Sequence, residues 1–569
     1  MADHSQGKKR QKETNAFPIR CVGRGTLPPV TMAEEVITAV ADAGSPLYTL
    51  LPISNMWTKK KKKRKSGREE MNNPLPLPSI QEAIKEAALL FRLSFPIALT
   101  ALFLYSRSII SMLFLGFLGN LPLASGSMAV AFANITGYSV LSGLSLGMEP
   151  LCSQAFGANQ HKLLWLTLYR SVLFLFCSAI PISFLWLNMS KILLFLGQDL
   201  EIISLAQNYI LFSLPDLFSF SIIHPIRIFL RSQGITRPLT FASAFAAAIN
   251  IPANFLLVTH LRLGVAGVAA ASAASNIALL LCLCLYLHFC YFGLNKPGQP
   301  TIEWATGWGP LARLAAPSCV SVCLEWWWYE LIILLCGLLP DPKPAVAAIG
   351  VLIQTTALLY VFPSSLGFGV STRVGNELGA NQPARARSAA LVAVAAASGM
   401  GLAAMAFAAG MKDRWGNMFT NDGEILRLTA AALPIVGLCE LGNCPQTVAC
   451  GVLRGCARPA HAAHVNLGAF YLVGMPVAVG LGFWLGVGFC GFWIGLLVAQ
   501  VSCAGLMLYV VWSTDWEAQA CRAQLLTCAP VQLPAAADED KVEADFSAGE
   551  KCFQPLVSIK IEEFERLCG

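Results

Sequence analysis

The chain has 569 residues, 55% of them hydrophobic and only 13% charged, with a mean hydropathy of +0.59. Ordinary soluble domains carry about 25% charged residues, so a water-soluble enzyme is excluded and an integral membrane protein is expected. The net charge of +7 does not imply a nucleic-acid partner, because much of it lies in the single run KKKKKRK at residues 59–65, which suits anionic lipid.

In chain order, residues 1 to about 75 are polar and irregular and lack a signal-peptide pattern, which predicts a disordered cytosolic extension over 1–79. Twelve apolar windows follow, near 91–117, 122–147, 163–187, 204–224, 239–259, 263–291, 309–338, 345–369, 387–410, 425–447, 463–484 and 486–512. The expected fold is therefore an all-α polytopic membrane protein of about twelve helices. The halves divide as 80–295 for helices 1–6 and 296–513 for helices 7–12, with a cytosolic tail over 514–569. If the N-terminus is inside, inner loops collect Lys162, Arg227, Arg231, Arg237, Lys296, Arg373, Arg385, Arg387, Arg454 and Arg458. Outer loops hold only Lys191, Arg262, Lys343, Lys412 and Arg414, so both termini are expected in the cytosol. The nineteen cysteines show no metal-ligand spacing and read as small apolar residues. No metal cluster, nucleophile elbow or phosphate loop supports an enzyme, and no cofactor is expected.

Several polar residues stand inside apolar windows. On the first span Arg107 is too far from either end to reach water, and Asp216 on the fourth has the same difficulty with the opposite sign, so the two are expected to pair; His224 is a further buried partner. Asn134, Thr136 and Tyr138 on the second span and Gln354 on the eighth either line a cavity or join helices. The seventh window contains CVSVCLEWWWYELI at 319–332, with Glu325 and Glu330. A carboxylate at the bilayer centre costs roughly 2.5 to 3.5 kcal/mol, so both glutamates are candidate site residues. They stand about 140° apart around a helix, which predicts one facing a cavity and the other the interior of its own half. Trp326, Trp327, Trp328 and Tyr329 cover most of the circumference, and one beside a glutamate suits an organic cation.

The sequence also repeats itself. LSLGMEPLCSQAFGANQ at 144–160 aligns without gaps to LGFGVSTRVGNELGANQ at 366–382, an offset of 222 residues, and near that offset Pro96 matches Pro317, Pro122 matches Pro344, FLRSQGITRP matches VLRGCARP, and LGVAG matches LGVGFCG. A shift of six spans preserves orientation, so the repeats are parallel, related by an axis along the membrane normal, with a site expected between them.

With six plus six spans, LCSQAFGANQ after the second, RVGNELGANQ after the eighth, FLRSQGITRP after the fourth and GVLRGCARP after the tenth, the region 80–515 resembles plant DETOXIFICATION-type transporters of the multidrug and toxic compound extrusion family. The resemblance implies two six-helix lobes, alternating access, and export of organic solutes against inward proton flow by a monomer in the plasma membrane or an endomembrane. It also implies proton-coupling or cation-binding roles for Glu325, Glu330 and Glu440. The first span carries Arg107 and no acid, unlike prokaryotic members of that family. Glu149 and Glu377, at inner helix ends, read as gate or structural ion pairs. Because the resemblance starts just after Met71, that residue is expected to be the initiator. A lipid flippase or scaffold on a related fold is the alternative.

Overall fold

The computed structural model describes residues 79–291 and 308–527. Twelve helices in it are long and apolar enough to cross a membrane: α1 Ile80–Leu118, α2 Asn120–Gly157, α3 His161–Leu187, α4 Leu200–Ser232, α5 Arg237–His260, α6 Gly264–Phe289, α7 Gly309–Cys336, α8 Pro342–Gly379, α9 Pro383–Met411, α10 Gly423–Gly455, α11 Pro459–Trp484 and α12 Phe489–Trp512. A further helix, α13, spans Trp516–Thr527, within the region expected as a cytosolic tail. The all-α membrane architecture is as the hydropathy implied, with no strand among the described residues. Met71 and the basic run lie outside the described residues.

Five helices extend well past their apolar windows. The first opens at a capping box, in which Ser79 and Glu82 each accept from the other's backbone N–H, eleven residues before the apolar run. The others, α2 and α8 with 38 residues and α4 and α10 with 33, run on into polar sequence at the side where α1 begins and α12 ends, here called the basal side. Hydropathy ends early on these because their last two turns carry Glu149, Gln154, Arg231, Arg373, Glu377 and Arg454, which pack against one another rather than against lipid.

The packing follows the repeat. In the first six helices α4 packs on α2, α3 and α6, while α5 packs on α1 and α6; in the last six α10 packs on α8, α9 and α12, while α11 packs on α7 and α12. The main contacts between the halves run through α2 with α7 and α8, and α8 with α1, with a smaller one between α1 and α9. Glycines set how close these helices come. A Cβ on Gly157 would fall on the backbone of Asn376, and a Cβ on Gly379 on the backbone of Gln154. These are repeat-equivalent contacts, exchanged as across a two-fold axis. In the same way Gly147 meets Ala315 on α7, and its equivalent Gly369 meets Ser94 on α1. Only residues without a side chain allow such backbone approach.

Ion pairs and hydrogen bonds close the basal side across the same boundary. Arg373 of α8 grips Glu86 of α1 through two nitrogens, at 2.7 and 3.2 Å, and pairs with Glu377 one turn on. Gln154 donates to the Gly455 carbonyl at 2.9 Å across the boundary, while Gln524 of α13 ties onto the end of α8 within the C-terminal part, donating to the Gly379 carbonyl at 2.8 Å.

Candidate functional site

Above the basal contacts the halves part around two cavities. The upper one, about 280 Å³, is lined by Asn134 and Ile135 of α2, by Glu325, Trp326, Trp327, Tyr329 and Glu330 of α7, and by Ile353, Thr356, Ala357 and Tyr360 of α8. Both glutamates therefore face one cavity, contrary to the expectation that one would turn into its own half. The reason is that α7 lies at the boundary between halves, so a wide arc of its surface is uncovered. The aromatics divide instead: Trp328 is fully buried against Phe470 and Tyr471, while Trp326 and Trp327 stay 39% exposed. Tyr329 lines the cavity; Trp328 is packing.

Local backbone geometry supports this cavity. Residues Asn134–Tyr138 form a π turn within α2. Such turns displace backbone carbonyls from regular pairing and occur often at functional positions. Here the Ile135 carbonyl accepts from Ser139 Oγ at 3.0 Å and, across the boundary, from Trp327 Nε1 at 3.2 Å. Its counterpart on the other side is Tyr105, at the repeat position of Trp327, whose hydroxyl donates to the Gln354 carbonyl at 3.1 Å. Gln354 thus joins α8 to α1 and is not among the residues lining the cavity.

The lower cavity, about 200 Å³, meets the upper one at Glu325, Trp326 and Tyr360, and continues basally between His224, Arg227 and Arg231 of α4, Phe368 of α8, and Thr447, Cys450 and Arg454 of α10. The Tyr360 hydroxyl faces the Glu325 carboxylate. At its floor Glu149, with a side chain 1% exposed, lies between Arg231 at 3.3 Å and Arg454 at 3.6 Å. The ring of Phe368 sits 4.2 Å from the first guanidinium and 5.0 Å from the second, a cation–π contact to each. Sequence reasoning does not single out Tyr360, Arg227 or Arg454 as cavity residues. The repeat register held the signal, since Tyr360 stands 222 residues after Tyr138 and Arg454 is the counterpart of Arg231.

Within the first half, the expected ion pair takes another form. Among the described residues no salt bridge joins Arg107 to Asp216. Arg107 donates to Asn276 Oδ1 at 2.7 Å, Asn276 donates to one Asp216 oxygen, and Tyr138 donates to the other at 2.7 Å. The amide supplies an acceptor for the cation and a donor for the anion, so it separates the charges while satisfying both. Tyr138 also meets Trp186 edge-on, and the Trp186 indole donates to Thr136, which turns Thr136 and Tyr138 of the π turn into this network. Of the candidates on α2, only Asn134 reaches the cavity. His224 stacks on Phe220 at 3.8 Å and does not approach Arg107 as a pairing partner. In the second half Glu440 is 1% exposed and accepts from Asn443 at 2.9 Å and from the Cys444 thiol at 3.6 Å. It does not line the cavity, but Tyr329 lies within electrostatic reach of both Glu440 and Glu325.

A bundle of two related membrane-crossing halves, with largely apolar cavities between them that hold buried charged side chains, and with a basal face held shut, is the architecture of a solute transporter. The MatE family model matches residues 96–256 and 317–479, once in each half, and the chain belongs to this family, the multidrug and toxic compound extrusion transporters. The two matches begin 221 residues apart, in register with the internal repeat. The chain is 63% identical to Protein DETOXIFICATION 51 of Arabidopsis thaliana over 454 residues, 79% of this chain and 85% of that one. It is 61% identical to Protein DETOXIFICATION 52 of the same plant over 462 residues, 81% and 91% of the two chains. Among solved structures it is similar to the eukaryotic MATE transporter AtDTX14, at 32% identity and TM-score 0.75, covering 78% of this chain and 99% of that one. The Vibrio cholerae MATE transporter VcmN in its bent form shares the fold at 18% identity, with TM-score 0.64 over 78% of this chain and 99% of that one. These relatives are transporters and not enzymes.

Proposed function

We propose that this chain is a proton-driven antiporter that exports organic solutes from the cytosol by alternating access between two six-helix lobes, 80–295 and 296–513. The observation that carries this reading is the place of Glu325, at the junction of two stacked cavities on the axis between the halves. A single carboxylate there holds a proton or a cationic group, but not both, and such mutual exclusion couples two opposed flows. Glu330 adds a second carboxylate to the upper wall, and Glu440 exchanges charge influence with Glu325 through Tyr329. Trp326 and Tyr329 offer faces to an organic solute. The basal side is read as cytosolic from its excess of arginine and lysine, and the arrangement corresponds to a carrier closed toward the cytosol. The chain carries both lobes and is read as a monomer of the plasma membrane or an endomembrane.

The test is exchange in proteoliposomes with an imposed pH difference. Export of an organic solute should follow the proton gradient, and Glu325→Gln, Glu330→Gln and Glu440→Gln should each reduce it while membrane insertion persists. Wild-type coupling in all three variants, or uptake driven by sodium at zero pH difference, would overturn the assignment.

A further inference from the structure

We propose that the lower cavity is a binding site for a monovalent anion, either a free halide or the carboxylate of an organic solute. Its walls carry three arginines, Arg227 and Arg231 of α4 and Arg454 of α10, together with His224. Against them stand two carboxylates, Glu149 on the floor and Glu325 at the junction with the upper cavity. With both ionised the walls still hold a surplus positive charge, and when Glu325 carries a proton the surplus grows. A buried charge without a counterion is costly, and a bound anion removes that cost.

The donor set is only partly committed. Glu149 is spread between Arg231 Nη2 at 3.3 Å and Arg454 Nε at 3.6 Å, which leaves the buried Nε of Arg231 without a hydrogen-bond acceptor. Arg231 has a side chain only 7% exposed, so water does not satisfy it freely. Arg227, one turn earlier on the same face of α4, has no acidic partner among the described residues; its charged neighbours are Arg231 and Arg107. The repeat explains the imbalance. Arg231 and Arg454 are equivalent positions, yet the equivalent of Glu149 is Ser371, so one acid serves two symmetric arginines. Arg227 breaks the symmetry further, since Cys450 stands at its equivalent. Above the arginines the apolar faces of Leu146, Phe368 and Trp326 leave room for the body of an organic anion.

The purified full-length chain in detergent provides the test. Its melting midpoint is followed while chloride or benzoate replaces methanesulfonate at constant ionic strength. A saturable rise with at least one anion is expected in the wild type, lost in Arg227→Gln and kept at about tenfold weaker affinity in Arg227→Lys, which retains charge but not the planar fork. A response to chloride identifies the halide as sufficient; a response to benzoate alone identifies the carboxylate of an organic solute. No saturable response to either anion in the wild type, or an unchanged response in Arg227→Gln, overturns the proposal. Should Arg227→Gln fail to accumulate, an Arg227→Lys affinity equal to wild type does so. No gradient enters this assay, so its failure leaves proton coupling standing, and a failure of proton coupling leaves the anion site standing.

Discussion

Replacing Gly157 by alanine tests the basal contact directly. The added Cβ would meet the carbonyl oxygen, carbonyl carbon and Cα of Asn376, all backbone atoms that no rotamer change can move aside. Relief requires α2 and α8 to separate. Overpacking of this kind costs about 1–3 kcal/mol. Because the strain exists only while the basal side is closed, the ratio of basally closed to basally open protein should fall roughly 5- to 150-fold. Gly379→Ala places its Cβ on the backbone of Gln154 at the equivalent position and should have an effect of the same sign and similar size. One separation of the two helices relieves both clashes, so the double variant should fall short of the sum of the single effects. The readout is supplied by Cys450, which lines the lower cavity. Labelling of its peptide by a membrane-impermeant thiol reagent added from the basal side, quantified by mass spectrometry, should rise in each variant. Labelling at the wild-type rate in Gly157→Ala, or a full additive effect in the double variant, would refute the reasoning.

Asn276→Leu removes both the acceptor for Arg107 and a donor to Asp216, leaving two buried charges poorly satisfied; a loss of about 3–5 kcal/mol in stability is expected, read as a lowered melting midpoint, with Asn276→Gln less damaging. Trp328→Ala empties a fully buried site and should cost about 3–5 kcal/mol of stability with little change in solute affinity. Trp327→Ala should do the reverse, because its ring is 39% exposed on the upper cavity, and equal melting losses in the two variants would contradict the division of the aromatics. Glu86→Gln breaks the charge pairing with Arg373 between α1 and α8 and should weaken basal closure by about 1.5–3 kcal/mol, increasing Cys450 labelling.

What the sequence made legible follows from what a bilayer imposes. Twelve spans were readable because hydrocarbon selects strongly for long apolar runs, and the parallel halves were readable because the repeat preserved Gly157 with Gly379 and the flanking Ala-Asn-Gln. The basal extensions were not, since Arg231 and Arg454 look like loop residues until the helices that bury them are seen together. Glu325 stood out because an acid in an apolar window has few structural uses. The direction of its neighbour Glu330 was not legible, because angle around one helix says nothing about how much of that helix its neighbours cover. Asn276 is hidden within GVAGVAAASAASNIALLL, where a lone amide reads as helix glue, although it is the group that keeps Arg107 and Asp216 apart.

The exchanged contacts of Gly157 with Asn376 and Gly379 with Gln154 are those of an isologous interface written within one polypeptide. In a symmetric dimer of a six-helix chain every substitution would appear twice, once on each side of the axis. An acid opposite an arginine would come as two acids and two arginines, and a site on the axis would have to be its own symmetry partner. A single chain is free of that rule. It keeps glycine at both crossing points, where symmetry closes the structure, and sets Glu149 against Ser371 and Arg227 against Cys450 around the lower cavity, where the two halves are free to differ.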